Sequence, residues 1–259
     1  MTLLEVCVGD AAGLDAAVAG GADRIELCCA LSVGGLTPPP SLIAVAATAP
    51  IPVHMLVRPR EGGFEYNARE AAMLAADIDA AAQAGLAGVV IGATRGGALD
   101  RRLLAELTAH VGAQGHARGH RISLTLHRAF DMCDDLPAAL ETAVALGFER
   151  VLTSGGEPRA IDALPMLTRL HRQAAGRIAI LAGSGIDASN VGAILETGIG
   201  EIHASCSAIS TTEPTDADMR QRRFGFADGA RRYTDVARVR ALRSRLDSFH
   251  MQRLNNTNP

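Results

Sequence analysis

The feature that most constrains the fold is a regular alternation of short apolar segments with longer helical ones. Each short segment is mostly apolar and flanked by glycine, which is typical of a strand buried on both faces. The strand candidates cover residues 3–7, 24–27, 52–57, 88–91, 122–126, 150–152, 178–182 and 201–203. Strands that alternate with helices form parallel sheets, and eight such units in 259 residues predict a single-domain α/β fold, the (β/α)8 TIM-type barrel. A doubly wound open sheet is the alternative, but no change in composition divides the chain in two.

The chain after the eighth strand differs from the repeating part. Residues 205–234 predict a variable polar loop, residues 235–246 a final helix and residues 255–259 a disordered tail, all within one domain of residues 1–259. Arginines alternate with aromatic residues in the loop, a pattern that can bind single-stranded RNA. The net charge of -3 favours a solvated loop instead, and we expect no nucleic-acid partner.

The composition excludes several functions. The chain contains no lysine, so all 25 basic residues are arginine, which excludes a Schiff-base aldolase, a pyridoxal-phosphate enzyme and a Walker A loop. Five cysteines are an odd number spread over a mid-sized chain, which is not a disulfide framework. No apolar run reaches membrane-spanning length, and no basic leader precedes the first strand. We therefore expect a cytoplasmic protein that has no membrane partner.

In a barrel of this type, ligands bind on the loops that follow the carboxyl ends of the strands. The sharpest pattern there is Glu-x-Cys, which ends the first strand with Glu5 and Cys7 and the second with Glu26 and Cys28. Residues two apart share one face of a strand and adjacent strands lie ~4.8 Å apart, so the two sulfurs are neighbours if the strands are in register. Two thiolates without further partners suit low-coordinate Cu(I). The alternative is that both cysteines are small core residues.

A second set of polar strand-end residues predicts a different function, a metal-independent enzyme that acts on a small anionic or phosphorylated substrate. His127 offers a general base beside Arg128, and the glycines around Ser154 and Ser184 offer backbone amides of the kind that bind phosphate. The acid–base residues of such an enzyme would be Glu5, Glu26, His127 and Asp131. The anion would be held by Arg58, Arg128, Ser154 and Ser184, and the two arginines could also neutralise the glutamates.

Several motifs together resemble the CutC copper-homeostasis family over about residues 3–207. They are residues 4–8 (LEVCV), 21–28 (GADRIELC), 34–38 (GGLTP), 58–60 (RPR), 127–131 (HRAFD) and 152–156 (LTSGG). The resemblance implies a cytoplasmic (β/α)8 barrel with a role in copper homeostasis, which self-associates as a dimer or larger oligomer. It also implies Cu(I) binding at two cysteines, which correspond to Cys7 and Cys28.

The chain departs from the family pattern in the loop after the third strand. The family continues Arg-Pro-Arg with Gly-Gly-Asp-Phe, whereas Arg60 is followed here by residues 61–64 (EGGF). This change weakens the phosphate prediction more than the copper prediction. After the eighth strand, His203 and Cys206 are further candidate ligands. The sequence therefore predicts a Cu(I)-binding copper-homeostasis protein, with the metal-independent enzyme as the alternative.

Overall fold

The computed structural model describes residues 2–209, 215–226 and 232–256, and the side chains as far as residue 252. Its centre is a closed barrel of eight parallel strands. They are β1 (Leu3–Val8), β2 (Arg24–Leu27), β3 (Val53–Leu56), β4 (Gly88–Ile91), β5 (Ser123–Leu126), β6 (Arg150–Thr153), β7 (Ala179–Ala182) and β8 (Glu201–Ala204). Neighbouring strands in chain order pair with each other, and β8 pairs with β1 to close the sheet. The barrel prediction is confirmed, and the closure excludes the open sheet.

Helices follow the strands and cover the outside of the barrel. The first seven are α1 (Ala11–Gly20), α2 (Pro40–Ala46), α3 (Ala68–Gln83), α4 (Arg101–Ala117), α5 (Leu136–Ala145), α6 (Leu164–Ala174) and α7 (Val191–Leu195). Local signals set their ends: Asn67 and Glu70 form a capping box at the start of α3. Gly21 ends α1 with φ 90°, a left-handed conformation that glycine adopts without steric cost.

The alternation along each strand separates an outer core from a polar interior. In β1, Leu4, Val6 and Val8 belong to the main core between strands and helices. Because successive side chains point to opposite faces, Glu5 and Cys7 face the inside of the barrel. A small separate apolar cluster of Cys28, Leu56 and Val90 is formed by inward positions of β2, β3 and β4 and their ends. The inside of the barrel is therefore partly charged, and this charge positions the site.

The segment after β8 contains more regular structure than a loop. Its described residues form an antiparallel two-stranded sheet of Ser207–Ile209 with Arg232–Thr234, and the helix α8 (Asp216–Arg223) between the two strands in the sequence. The final helix α9 begins at Val236 and ends at Asn256, so it extends beyond the predicted 235–246 and includes residues 255–256 of the predicted tail. It packs against α1 and α7 and completes the outer layer. The remainder of the predicted tail, and residues 210–214 and 227–231, lie outside the described residues.

Two smaller features complete the fold. A second hairpin joins Thr94–Arg95 to Ala98–Leu99 after β4, and three 3-10 turns cover Leu31–Val33, Arg128–Met132 and Ala160–Ala163. In the part of the chain that the structure describes, no helix combines the length and the apolar character that crossing a membrane requires.

Candidate functional site

A cavity of about 1520 Å³ opens at the carboxyl ends of the barrel strands. We call it the mouth cavity. The strand-end side chains that line it include Cys7, Glu26, Arg58, His127, Arg128, Ser184 and His203. Residues of the segment after β8, among them Arg222, Phe226 and Tyr233, contribute to its outer wall. Most of the site residues predicted from the sequence therefore lie around one space.

The register of β1 and β2 differs from the one that would place the two cysteines side by side. Cys7 lies opposite Glu26, and Glu5 lies opposite Arg24, so β2 is displaced by two residues relative to the matched Glu-x-Cys register. The displacement is an even number, so all four side chains keep the inward face. The thiol of Cys28 donates to the carbonyl oxygen of Val8 at 3.3 Å and is fully buried. In this register the residue opposite Cys7 is therefore Glu26, which carries a carboxyl group, and not Cys28.

Three buried side chains from β1, β2 and β8 converge at the floor of the mouth cavity. The Cys7 Sγ, a carboxylate oxygen of Glu26 and a ring nitrogen of His203 lie within 4.8 Å of one another. We call this group the thiol cluster. His203 Nδ1 donates to Glu5 Oε1 at 2.8 Å, and its Nε2 lies 3.9 Å from Glu26 Oε2. The Glu5 contact therefore leaves Nε2 as the nitrogen available to a ligand.

Beneath the thiol cluster, the carboxylate of Glu5 is paired with two basic side chains. Its carboxylate accepts hydrogen bonds from the guanidinium of Arg24 and from His203, and Arg24 also donates to Glu201 at 2.7 Å. Burial alone would raise the pKa of Glu5, but the His203 hydrogen bond and the Arg24 charge outweigh it and lower that pKa. Glu5 is thus an ionised, fully paired carboxylate. Arg24, which the sequence analysis did not single out, is its partner in place of Arg58 or Arg128.

The pKa values of Glu26 and His203, which share the thiol cluster with Cys7, are both raised, for different reasons. Burial, assisted by the charge of Glu5, raises the pKa of Glu26 to about 7. Burial opposes the charge on His203, but Cys7, Glu26 and Glu5 together raise the pKa of this imidazole. Both groups therefore hold protons that an incoming cation can displace.

Two other candidate thiols, Cys28 and Cys206, lie near this floor, and both have raised pKa values. Burial, with the nearby Cys7, raises the pKa of Cys28, and the same two causes raise the pKa of Cys206 to about 12. Cys206 is nearly buried and has φ 45°, which turns the chain at the end of β8. The thiol cluster contains His203 but, among the described residues, its three converging donor atoms include neither Cys28 nor Cys206.

On another wall of the mouth cavity, His127 is buried and neutral. Its Nδ1 accepts a hydrogen bond from the backbone N–H of Ala129 at 3.0 Å, which caps the 3-10 turn Arg128–Met132. The ring proton therefore lies on Nε2, which has no partner among the described residues. Burial and the charge of Arg58 lower the pKa of His127 to about 3. This ring is therefore a neutral hydrogen-bond donor whose N–H has no acceptor among the described residues.

Asp131 and Ser154 bond mainly to the protein itself. Asp131 accepts from the backbone N–H of Ser154 at 3.1 Å, from that of Gly156 at 3.2 Å, and from the hydroxyl of Thr153. Arg128 joins the two by donating from Nε to Asp131 at 2.8 Å and from Nη2 to Ser154 Oγ at 2.7 Å. These bonds hold the loop after β6 against the turn after β5, so Asp131 and Ser154 act first as supports of the cavity wall.

Arg58 and Ser184 also hold loops in place. Arg58 Nη1 donates to the carbonyls of Val33 and Gly35 at 2.8 and 2.9 Å, and its Nη2 donates to Gly62 at 2.9 Å. The Ser184 hydroxyl donates to the carbonyl of Pro158 at 2.7 Å, and φ at Ser184 is 83°. The Phe64 ring covers Arg58 and lies 5.0 Å from both the guanidinium carbon and the His127 ring centre.

Comparisons with known proteins agree with the motifs. The model of the CutC family matches residues 2–208. A CutC family protein of Sinorhizobium medicae (strain WSM419) is 52% identical over 249 residues, which is 95% of this chain and 97% of that protein. The human copper homeostasis protein cutC homolog is 43% identical over 250 residues, covering 93% of this chain and 87% of the relative.

Solved structures show the same architecture. The crystal structure of CutC from Streptococcus agalactiae has 30% sequence identity and a TM-score of 0.72, and the match covers 79% of this chain and 99% of that one. A thiamine phosphate pyrophosphorylase from Pyrococcus furiosus aligns with a TM-score of 0.55 at 13% identity, covering 96% of each chain. At that identity the second likeness concerns the barrel fold alone.

Proposed function

This chain belongs to the CutC family, and from that premise we propose that it is a copper-homeostasis protein that binds Cu(I) through the thiolates of Cys7 and Cys28. The observation that carries the proposal is the thiol cluster, in which His203 adds a nitrogen donor beside Cys7. Thiolate sulfur is a soft ligand and imidazole nitrogen a borderline one, and together they favour Cu(I) over hard cations such as Mg²⁺ or Ca²⁺. Copper is the cargo in this proposal.

The surroundings of His203 support its role as a ligand. Metal-binding imidazoles usually donate their second N–H to a carboxylate, which fixes the ring and leaves the other nitrogen free for the metal. Glu5 occupies that position at 2.8 Å from His203 Nδ1. Glu5 is itself held by Arg24, so the ring is oriented before any ion arrives. Cys28 joins the site by giving up its hydrogen bond to the Val8 carbonyl.

Binding must displace protons. The pKa of Cys28 and that of His203 are both raised, so each is protonated at neutral pH in the metal-free protein. Cu(I) binds the thiolate and the neutral imidazole, and it therefore competes with protons at each ligand. The proposed affinity for Cu(I) rises with pH across the neutral range.

We propose a reducing, cytoplasmic location and self-association as finer points of the same function. All five cysteines are free in the structure, and a thiolate copper site requires a compartment that keeps them reduced. Large apolar side chains of α8 and the turn after it are exposed, including Phe224 at 67% and Phe226 at 82%. Exposed apolar patches of this kind often mark a contact with another chain, here a second copy in a dimer or larger oligomer.

The second candidate function is the metal-independent enzyme. The observation that favours it is a carboxyl group of Glu26 with a pKa of about 7 in the same cavity as the neutral donor His127. A carboxyl poised near neutrality can exchange protons with a substrate, and a neutral imidazole can polarise a carbonyl or hold an oxyanion. In this candidate Glu26 would be the acid–base residue, because Glu5 and Asp131 are occupied by protein partners.

A titration separates the two candidates. The reduced protein is titrated with Cu(I) against a competing chelator, in parallel with a Cys7→Ser/Cys28→Ser double variant and a His127→Asn variant. The copper proposal predicts tight binding that the double variant loses and His127→Asn retains. Equally weak binding by the wild type and the double variant would contradict it and leave the enzyme as the working function.

A further inference from the structure

The volume of the mouth cavity is much larger than the space needed by a single metal ion and its two or three ligand atoms. We propose that its other wall, formed by Arg58, His127 and Arg128, binds the carboxylate or phosphate group of a small organic molecule. We call these three residues the donor wall. The proposal is independent of copper, because it uses none of the residues of the thiol cluster.

The first observation is the unpartnered nitrogen of His127. This side chain is only 4% exposed, and its Nε2 is buried without a hydrogen-bond partner among the described residues. Its Nδ1 already accepts from the Ala129 N–H, so Nε2 must be the protonated nitrogen. A buried N–H without an acceptor destabilises the empty site, and a ligand oxygen removes that penalty.

The second observation is the charge of Arg58. Arg58 is 6% exposed, and its guanidinium donates to three backbone carbonyls rather than to a carboxylate. Its Nε has no partner in the described part of the chain. A buried cation is costly unless an anion accompanies it, and Glu26, on the thiol side, faces His203 instead. An anionic ligand supplies the missing counter-charge.

The third observation is that the wall contains donors and hardly any acceptors. Arg128 donates from Nε and Nη2 to Asp131 and Ser154, and its side chain lines the mouth cavity. The His127 N–H and the two guanidinium groups are all hydrogen-bond donors, so the ligand that fits them is a negatively charged group with several lone pairs. Carboxylate and phosphate share that chemistry, whereas a cation or a sugar hydroxyl does not.

Phe64 packs against two members of the donor wall. Its ring lies 5.0 Å from the Arg58 guanidinium carbon and 5.0 Å from the centre of the His127 ring, so it contacts both. The backbone carbonyl of Phe64 accepts a hydrogen bond from the Thr94 N–H at 2.9 Å, which holds this segment beside the donor wall. Cys7 and Glu26 line the same cavity, but the proposed anion contacts use neither of them.

The test uses the copper-free full-length protein, with inorganic phosphate and malonate as separate probes. Calorimetry is expected to show saturable binding of at least one probe, and the probe that binds more tightly identifies phosphate or carboxylate as the recognised group. In His127→Asn the asparagine oxygen can still cap the turn through the Ala129 N–H, but the Nε2 donor is lost. We expect at least tenfold weaker binding in that variant, and unchanged binding in the exposed control His116→Asn.

A second measurement keeps the test decisive if the variant folds poorly. In the wild-type protein labelled with ¹⁵N-histidine, the His127 Nε2 resonance should shift on addition of the bound probe, while Nδ1 keeps the signature of an acceptor. The Cys7→Ser/Cys28→Ser variant should bind the probe as the wild type does, whatever its copper affinity. Absence of both heat and a His127 shift at millimolar phosphate and malonate would overturn the proposal and leave the copper proposal untouched.

Discussion

The orientation and the pKa of His203 depend on the residues that contact its two ring nitrogens. Glu5 Oε1 accepts a hydrogen bond from His203 Nδ1, with 2.8 Å between the two atoms, and the Cys7 thiol and Glu26 lie on the Nε2 side. The acidic neighbours raise the pKa of His203 even though it is buried. A ring held in this way presents Nε2 to one position only, so Cys7 and His203 form a paired donor set rather than two independent residues.

Replacing Glu5 tests whether this pairing matters. Glu5→Gln removes one of the two carboxylates paired with the buried Arg24, and it removes the negative charge that holds the His203 ring. Removing one member of a buried ion pair typically costs about 3–5 kcal/mol in the free energy of unfolding. Removing the carboxylate behind a metal-binding imidazole lowers metal affinity by roughly 10–100-fold. Urea unfolding and the chelator competition measure the two effects, with the exposed Glu106→Gln as control. A stable variant with unchanged Cu(I) affinity would contradict this role for Glu5.

The raised pKa of Glu26 predicts a pH dependence of stability. The pKa rises from 4.5 to about 7 on folding, so the unfolded chain ionises first and stability falls as the pH rises through this interval. Glu26→Gln cannot ionise, so its pH dependence should match that of the wild type below about pH 4, and its free energy of unfolding should exceed that of the wild type at pH 7.5 by on the order of 3 kcal/mol. Denaturant curves at several pH values check this, beside the exposed control Glu61→Gln. A constant difference between wild type and Glu26→Gln across the pH range would show that Glu26 ionises normally.

At the scale of the strands, the sequence was enough to predict the elements and their faces. All eight predicted barrel strands overlap observed ones, and period-two alternation correctly assigned Glu5 and Cys7 to one face. The register between β1 and β2 was not predictable, because it depends on how the whole sheet closes. The observed two-residue displacement pairs Cys7 with Glu26, and no local pattern indicates it.

Residues whose role depends on that register were not all predictable from the sequence. Arg24 stands two residues before Glu26, which places it on the inward face, and this spacing was the available signal. Its partner Glu201 comes from β8, far away in the sequence, so the pair could not be inferred. Similarly, Asp131 and Ser154 were predicted as site residues, and their mutual hydrogen bonds became visible only when the loops after β5 and β6 were placed together.

The end of β4 allows the His127 ring to pack because residue 92 is glycine. A Cβ at Gly92 would lie 2.5 Å from the His127 ring, closer than atoms pack. Gly92→Ala should therefore displace His127, lower the free energy of unfolding by about 1–3 kcal/mol and weaken anion binding. Gly112→Ala is the matched control, since its Cβ meets open space in α4 and should stabilise the protein by about 0.5–1 kcal/mol. Equal stability of the two alanine variants would show that the ring is not confined there.

For the whole molecule, the closed barrel brings two kinds of chemistry to one cavity. One wall carries a thiol with an imidazole, and the other carries guanidinium groups with a neutral imidazole donor. The net charge of -3 is small, so these local groups rather than an overall field select the ligand. The segment after β8 covers the outer side of this cavity and also carries the exposed aromatic residues.

Those aromatic residues predict the state of association. The Phe224 and Phe226 rings stack at 6.1 Å and are mostly exposed, so burying them against a second copy would remove apolar surface from water. Light scattering should give a mass above that of a 26.9 kDa monomer, and Phe224→Ser/Phe226→Ser should shift it towards the monomer. Met251→Ser, at another exposed apolar position, is the control. A wild-type monomer, or an oligomer that the double variant leaves intact, would contradict this prediction.

The most direct test of the central claim is X-ray absorption spectroscopy at the copper edge on the reduced protein loaded with one equivalent of Cu(I). We predict a low-coordinate copper with two sulfur neighbours and one nitrogen neighbour, contributed by Cys7, Cys28 and His203. The Cys7→Ser/Cys28→Ser variant should lose the sulfur signal. A wild-type spectrum with only oxygen or nitrogen neighbours, or one identical in the variant, would contradict the proposed thiolate site.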